Sequence, residues 1–413
     1  MLFLAAPRAV TAYSVLSHET VIDAAWQTDL RPLLLKRFPD ATPDELRQAH
    51  AYAYGGAIIQ DMGYYPHGSK LFSDLAHYVR SGDFVMALLR DSQDLDEYAF
   101  ALGALAHYVA DNQGHRLAVN LSVPMLYPQL RKKFGDTITY EENPAAHLKT
   151  EFGFDVLEVA KQHFAPDAYH DFIGFEVSRP LLDRAFRETY GMELSSLLDN
   201  EARAISSYRY VISSIFPKAT RVAWALKRND IERDLPGITR KRFLYNISRA
   251  SYRKTWGKDY RAPTAGDKVL AFLFRIIPKV GPLKALALRT PTPQTEQLFE
   301  RSFNATLAEY RALLADYDHA RLVLINDNFD VGAVTPAGQY FLTDKTYAAL
   351  LDRLSRTNFA GTSPELRSDI LQFYNDPSAP YATKRDHKAW ARVQDELQRL
   401  RAAPPVTDAA EAP

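Results

Sequence analysis

His107, Asp111 and His115 recur at four-residue spacing inside Ala101-Leu-Gly-Ala-Leu-Ala-His-Tyr-Val-Ala-Asp-Asn-Gln-Gly-His115, and no other stretch constrains the fold as much. A helix turns about 100° per residue, so positions i, i+4 and i+8 lie along one slowly drifting stripe. The flanking Gly103, Ala104, Ala106 and Ala110 are small, which lets neighbouring helices come close. An unpartnered histidine or aspartate in such apolar surroundings would be costly. The stripe must therefore meet hydrogen-bond partners or a metal ion. A second H-x-x-x-acid pair, His147 and Glu151, repeats the spacing. The chain has no cysteine, so any metal here is held by nitrogen and oxygen, a donor set that suits zinc. Nine of the 11 histidines precede residue 171, which places a histidine-using site in the N-terminal half.

Apolar residues recur at three- and four-residue spacing over 18–36, 44–59, 94–109, 152–163, 181–190, 195–216, 296–317, 344–354 and 384–401. Thr42-Pro-Asp-Glu45 has the form of a helix opening, with Thr42 as N-cap and Glu45 three residues on. Gly55, Gly56, Gly63, Pro66, Gly68 and Gly82 mark a loop-rich section after the second helix, and 290–293 reads as a linker. Alternating β-branched runs with hairpin turns are scarce. The expected fold is all-α, a multi-helix catalytic domain over 13–215 and an additional helical region over 216–401 whose role the sequence does not define. A proline- and alanine-rich tail, 402–413, is expected to be disordered.

Lysine plus arginine equals aspartate plus glutamate, so no overall field draws the chain onto a long nucleic acid. Residues 1–12 have the form of a truncated signal peptide, with a short apolar run leading to Val10-Thr-Ala12. Cleavage after Ala12 and a secreted or periplasmic location are the expectation. No stretch reaches the ~20 apolar residues that span a bilayer. The apolar and basic run 268–288 reads first as core helices with snorkelling lysines, and second as a peripheral membrane contact.

Tyr13-Ser-Val-Leu-Ser-His18, Gly56-Ala-Ile-Ile-Gln-Asp61-Met-Gly, Leu75-Ala-His77-Tyr, His107 to His115, and His147-Leu-Lys-Thr-Glu151-Phe-Gly follow in an order that resembles the zinc-dependent phospholipase C family. The local likeness is nearest to the catalytic domain of glycosylphosphatidylinositol-specific phospholipase D, and the three-zinc single-strand nucleases are related. The resemblance implies three zinc ions per chain. Asp61, His77, His107 and Asp111 would hold one, and His115, His147 and Glu151 a second. The third would take His18, Asp111 as a bridge, and the free amine and carbonyl of Tyr13 once cleavage exposes it. Gln60 stands where the family usually has proline, and His67 competes with His77 as a ligand.

Three carboxylates against six positive charges leave such a site net positive, which suits a phosphate diester. The expected reaction is phosphodiester hydrolysis of a phospholipid or glycolipid headgroup by a zinc-bound hydroxide, with Asp61 as water orienter or base. Asn112 and Gln113 are near enough in sequence to fix the imidazoles. Tyr64, Tyr65 and Phe72 suit the core better than an aromatic wall, and Arg116 suits the surface better than a phosphate contact. His50, His163 and His170 are read as structural or surface residues. Two other readings stand beside this one: a single-strand nuclease or nucleotidase on the same metals, and a non-catalytic zinc-binding scaffold. The choice between C-type and D-type cleavage stays open.

Overall fold

A computed structural model describes residues 15–161, 175–198, 200–210, 232, 289 and 291–404. The expected signal peptide, Tyr13, His163, His170, the run 268–288 and residues 405–413 lie outside the described residues. The described chain is all-α. Its one β feature is an isolated bridge between Asn328 and Ala333.

Fifteen helices are described. The first nine are α1 (Val15–Ala25), α2 (Arg31–Arg37), α3 (Pro43–Gly56), α4 (Lys70–Tyr78), α5 (Ser81–Asp91), α6 (Leu95–Gly114), α7 (Asn120–Leu126), α8 (Pro128–Phe134) and α9 (Pro144–Lys161). Then come α10 (Arg179–Tyr190), α11 (Glu201–Tyr210), α12 (Pro293–Asp318), α13 (Phe341–Arg356), α14 (Pro364–Phe373) and α15 (His387–Ala402). A π-helical turn, Trp26–Leu30, joins α1 to α2, which the sequence pattern reads as one helix. Thr42 and Glu45 form the expected capping box at α3.

Helix α6 is the axis of the molecule. It is buried on almost every side, as a helix without a polar face must be. Helices α1, α3, α5 and α12 pack around it. The crossing with α3 is so close that a Cβ on Gly103 would meet the Ala53 carbonyl oxygen at 2.1 Å. A Cβ on Gly56 would meet the Phe100 carbonyl oxygen at 1.9 Å. Glycine at both positions thus sets the distance between the two helices. Gly103→Ala is expected to lower stability by about 1–3 kcal/mol through overpacking, read as a lower urea midpoint. An unchanged midpoint would show that the two helices can separate freely.

Two expectations are corrected. The section read as loop-rich contains α4 and α5, and Gly82 lies inside α5. Its small size serves a close approach, since a Cβ there would meet the Ile325 carbonyl oxygen at 2.5 Å. Of the run 290–293, read as a linker, the described residues 291–293 lead into a helix: Thr292 caps α12 and Pro293 is its first residue. Residues 291–404 also share one hydrophobic core with α1–α6, through Tyr310, Leu314, Phe329 and Tyr340. Among the described residues, no helix is long and apolar enough to cross a membrane.

Candidate metal centre

Five elements meet α6 at the centre. Helix α1 supplies His18, and the 3-10 turn Ile59–Tyr64 supplies Asp61. Helix α4 supplies His77, and α6 supplies His107 and Asp111. A π-helical turn, His115–Val119, begins where α6 ends and carries His115 onward. Such turns within helices are frequent at functional sites. Helix α9 supplies His147 and Glu151. All eight side-chain candidates are at most 2 % exposed. Carboxylates and imidazoles crowd together where water cannot pair them.

These side chains form three groups, each fit to hold a metal ion: His18, His107 and Asp111; Asp61, His77 and His107; His115, His147 and Glu151. Asp111 faces two of them. Its Oδ1 lies 3.3 Å from His18 Nε2, while its Oδ2 lies 3.3 Å from His77 Nε2 and 3.2 Å from His107 Nε2. Asp61 Oδ1 is 3.4 Å from His77 Nε2. Ligand atoms bonded to one tetrahedral zinc at its usual distances stand about 3.3–3.4 Å apart. The observed separations are those of ligands around a common ion. Both oxygens of Asp61 and of Asp111, and Nε2 of His77 and His107, are buried without a hydrogen bond. Buried polar atoms are ordinarily satisfied, so this set fits a cation. The three clusters are geometrically consistent with three zinc sites.

The remote ring nitrogens are anchored. His107 Nδ1 meets the Ala57 carbonyl oxygen at 2.9 Å, and His77 Nδ1 meets the Ser73 carbonyl oxygen at 2.7 Å. Each bond turns Nε2 toward the cluster, as metal-binding imidazoles require. Ser73 also steadies the Asp61 turn. Its hydroxyl donates to the Gln60 carbonyl and accepts from Gly63 N at 2.9 Å. Gln60, at the position where proline is usual, is fully buried and donates to the Ala104 carbonyl at 3.1 Å. At the start of α1, Asp155 accepts from Leu16 N and Ser17 N at 3.1 Å each, and from Ser17 Oγ at 2.6 Å. A carboxylate there complements the helix N-terminus and ties the His18 helix to α9.

The electrostatics are those of a site built around positive charge. Burial would raise the Asp111 carboxyl, but His107, His18 and His77 hold it well below its ordinary value. Burial raises Asp61 above its ordinary value despite His77. It would also lower the His77 imidazole, but Asp111 and Asp61 outweigh it and push that group up to about 10. His18 is lowered by burial and by His107. Burial lowers His147 to about 3, which leaves it neutral and ready to ligate.

Other expectations resolve as follows. His67 is exposed and belongs to none of the three clusters. Asn112 and Gln113 do not fix the imidazoles: Gln113 bonds Glu309 and Arg116, and the Asn112 side-chain oxygen is buried without a hydrogen bond. Positions i+1 and i+2 face away from the Asp111 stripe, so nearness in sequence misleads. Arg116 is exposed, and Phe72 is core against Phe84 and Phe186. Tyr64 and Tyr65 are buried too. His50 is structural, stacked on Trp26 at 3.8 Å and 3.1 Å from Asp23. Tyr13, the expected main-chain ligand, lies outside the described residues.

Sequence reasoning missed Phe329 and Asp330. Both are buried on the centre from a turn between α12 and α13. Phe329 packs on His77 with ring centroids 5.3 Å apart, and its N–H donates to the His77 carbonyl at 3.1 Å. Neither residue stands at ligand spacing from a histidine, so the sequence carries no signal for them.

No curated protein and no solved structure matches the chain. Residues 17–200 match the family model described as zinc dependent phospholipase C, a stretch that contains every residue of the three clusters. Over that stretch, 184 of its 413 residues, the chain is similar to this family.

Proposed function

We propose that the protein is a zinc-dependent phosphodiesterase of the phospholipase C/D type, acting on the headgroup of a phospholipid or glycolipid. The observation that carries this reading is Asp111, whose two buried, unbonded oxygens face two different histidine clusters. Zinc ions held there supply Lewis acidity toward a phosphoryl oxygen and lower the pKa of water. The chain's own contribution is geometric and electrostatic. Asp61, Asp111 and Glu151 bring three negative charges, too few to neutralise three divalent ions, so an anionic diester is attracted. Asp61, whose Oδ2 has no hydrogen-bond partner, orients the attacking water or takes its proton. Phe329 covers the His77 side and keeps bulk water away.

The division into a catalytic part over 13–215 and a helical part over 216–401 belongs to the same proposal. So do cleavage after Ala12, Tyr13 as a main-chain ligand beside His18, and a secreted or periplasmic location.

The deciding experiment incubates zinc-loaded protein of verified N-terminus with phosphatidylcholine, a glycosylphosphatidylinositol and single-stranded DNA, with products read by mass spectrometry. Lipid cleavage that stops on chelation is expected. A phosphomonoester headgroup product means C-type cleavage, and phosphatidic acid means D-type. Cleavage of DNA alone would replace this reading with a nuclease, and no cleavage of any substrate would overturn it.

A further inference from the structure

Asp330 lies beyond the matched family segment, yet it points into the His115 and His147 cluster. Its Oδ1 is 3.0 Å from His115 Nδ1 and 3.6 Å from His147 Nε2. Those separations bracket the ligand-to-ligand distance of about 3.3–3.4 Å expected around a tetrahedral zinc. His115 Nδ1 and Asp330 Oδ1 are both buried, and neither makes a hydrogen bond, despite their closeness. Two buried donor atoms this close and not aligned for a hydrogen bond suit a cation between them.

The rest of Asp330 is fixed. Its Oδ2 accepts from Tyr140 N at 2.8 Å and from the Tyr340 hydroxyl. Its carbonyl accepts from Asn120 Nδ2 at 2.6 Å, and its N–H donates to Asn328 Oδ1 at 2.9 Å. One oxygen is held by the protein and the other is left to the cluster. His147 Nδ1 meets Glu151 Oε1 at 2.7 Å, and its Nε2, 3.6 Å from Asp330 Oδ1, is bonded to Asn120 Oδ1 at 2.6 Å, a contact that a metal ion would replace.

We propose that Asp330 Oδ1 is a metal ligand, completing the site of His115 and His147 from the C-terminal region of the chain. This rests on the reading of the clusters as zinc sites. It means that the helical region after residue 290 contributes to the centre as well as covering it. Glu151 would then hold the Nδ1 side of His147, and Asp330 would supply the carboxylate on its Nε2 side.

The test compares wild type, Asp330→Asn, Asp330→Ala and Tyr340→Phe. Zinc stoichiometry is followed by native mass spectrometry against a competing chelator, and folding by circular dichroism. Wild type and Tyr340→Phe are expected to hold three zincs. Both Asp330 variants should keep two, with the third weakened at least ~100-fold, beyond the range of a residue that merely orients a ligand. A folded Asp330→Asn protein that holds three zincs with unchanged affinity overturns the inference and leaves the zinc reading standing. Wild type that binds no zinc overturns both. Should the variants fail to fold, the zinc-loaded wild-type crystal structure decides. An ion about 2.0–2.2 Å from Asp330 Oδ1 supports the inference, and a carboxylate out of bonding range contradicts it.

Discussion

Asp111→Ala is expected to remove two zinc ions together and to lower kcat/KM at least ~1,000-fold, the equivalent of about 4 kcal/mol of transition-state stabilisation. The argument is geometric. Oδ1 faces His18, while Oδ2 faces His77 and His107, so one truncation opens two clusters. The ion at His115 and His147 should survive, because the nearest approach from that cluster is 3.9 Å, between His115 Nε2 and Asp111 Oδ2. Metal analysis and steady-state kinetics on one preparation check both parts. Loss of a single ion would contradict the bridging role. Arg116→Ala, on the exposed face, serves as the comparison and should behave as wild type.

Metal removal is expected to cost nearly as much in stability as the bridge costs in rate. Without a cation, Asp61 and Asp111 present four buried oxygens with no hydrogen bond. A broken buried ion pair is penalised by about 3–5 kcal/mol. Zinc at 1,000 times its Kd contributes about 4 kcal/mol per site. The melting temperature should fall by about 10 °C or more on chelation and recover when zinc is restored. A proton partly replaces the metal, since the Asp111 and Asp61 carboxylates overcome the effect of burial and raise His77 to about 10. That imidazole is therefore charged in the metal-free protein at neutral pH, and its stabilising contribution is present below 6.5 and lost only as the pH rises through 10. Zinc must expel this proton. Calorimetry in buffers of different ionisation enthalpy should show proton release at pH 7.5. Chelation that leaves the melting temperature unchanged would mean that the carboxylates are satisfied without metal.

The part of the centre legible in the sequence was the part carried by helical spacing. His107, Asp111 and His115 lie on one helix and its continuation, and His147 and Glu151 on another, so a four-residue period reveals them. The cap at Thr42 and the small residues of α6, Gly103 among them, were legible for the same local reason, whereas Gly56, read as a loop marker, lies in α3 against Phe100. Asp61 and His77 came from resemblance, because a 3-10 turn and a separate helix carry no common period. Asp330, Phe329, Asn120 and Ser73 were invisible. They act through tertiary contacts between elements far apart in the chain, and their own neighbours in sequence do not mark them. Gly82 misled for a related reason: a glycine needed for close packing looks the same in a sequence as one needed for a turn.

The central claim is that three buried clusters around α6 hold three zinc ions. Crystals grown with zinc, measured at the zinc absorption edge, test it directly. The expected anomalous map has three peaks per chain. One lies between His18 and Asp111, one among Asp61, His77, His107 and Asp111, and one between His115 and His147 on the Asp330 side. A map with a single peak, or with none at these side chains, would contradict the account.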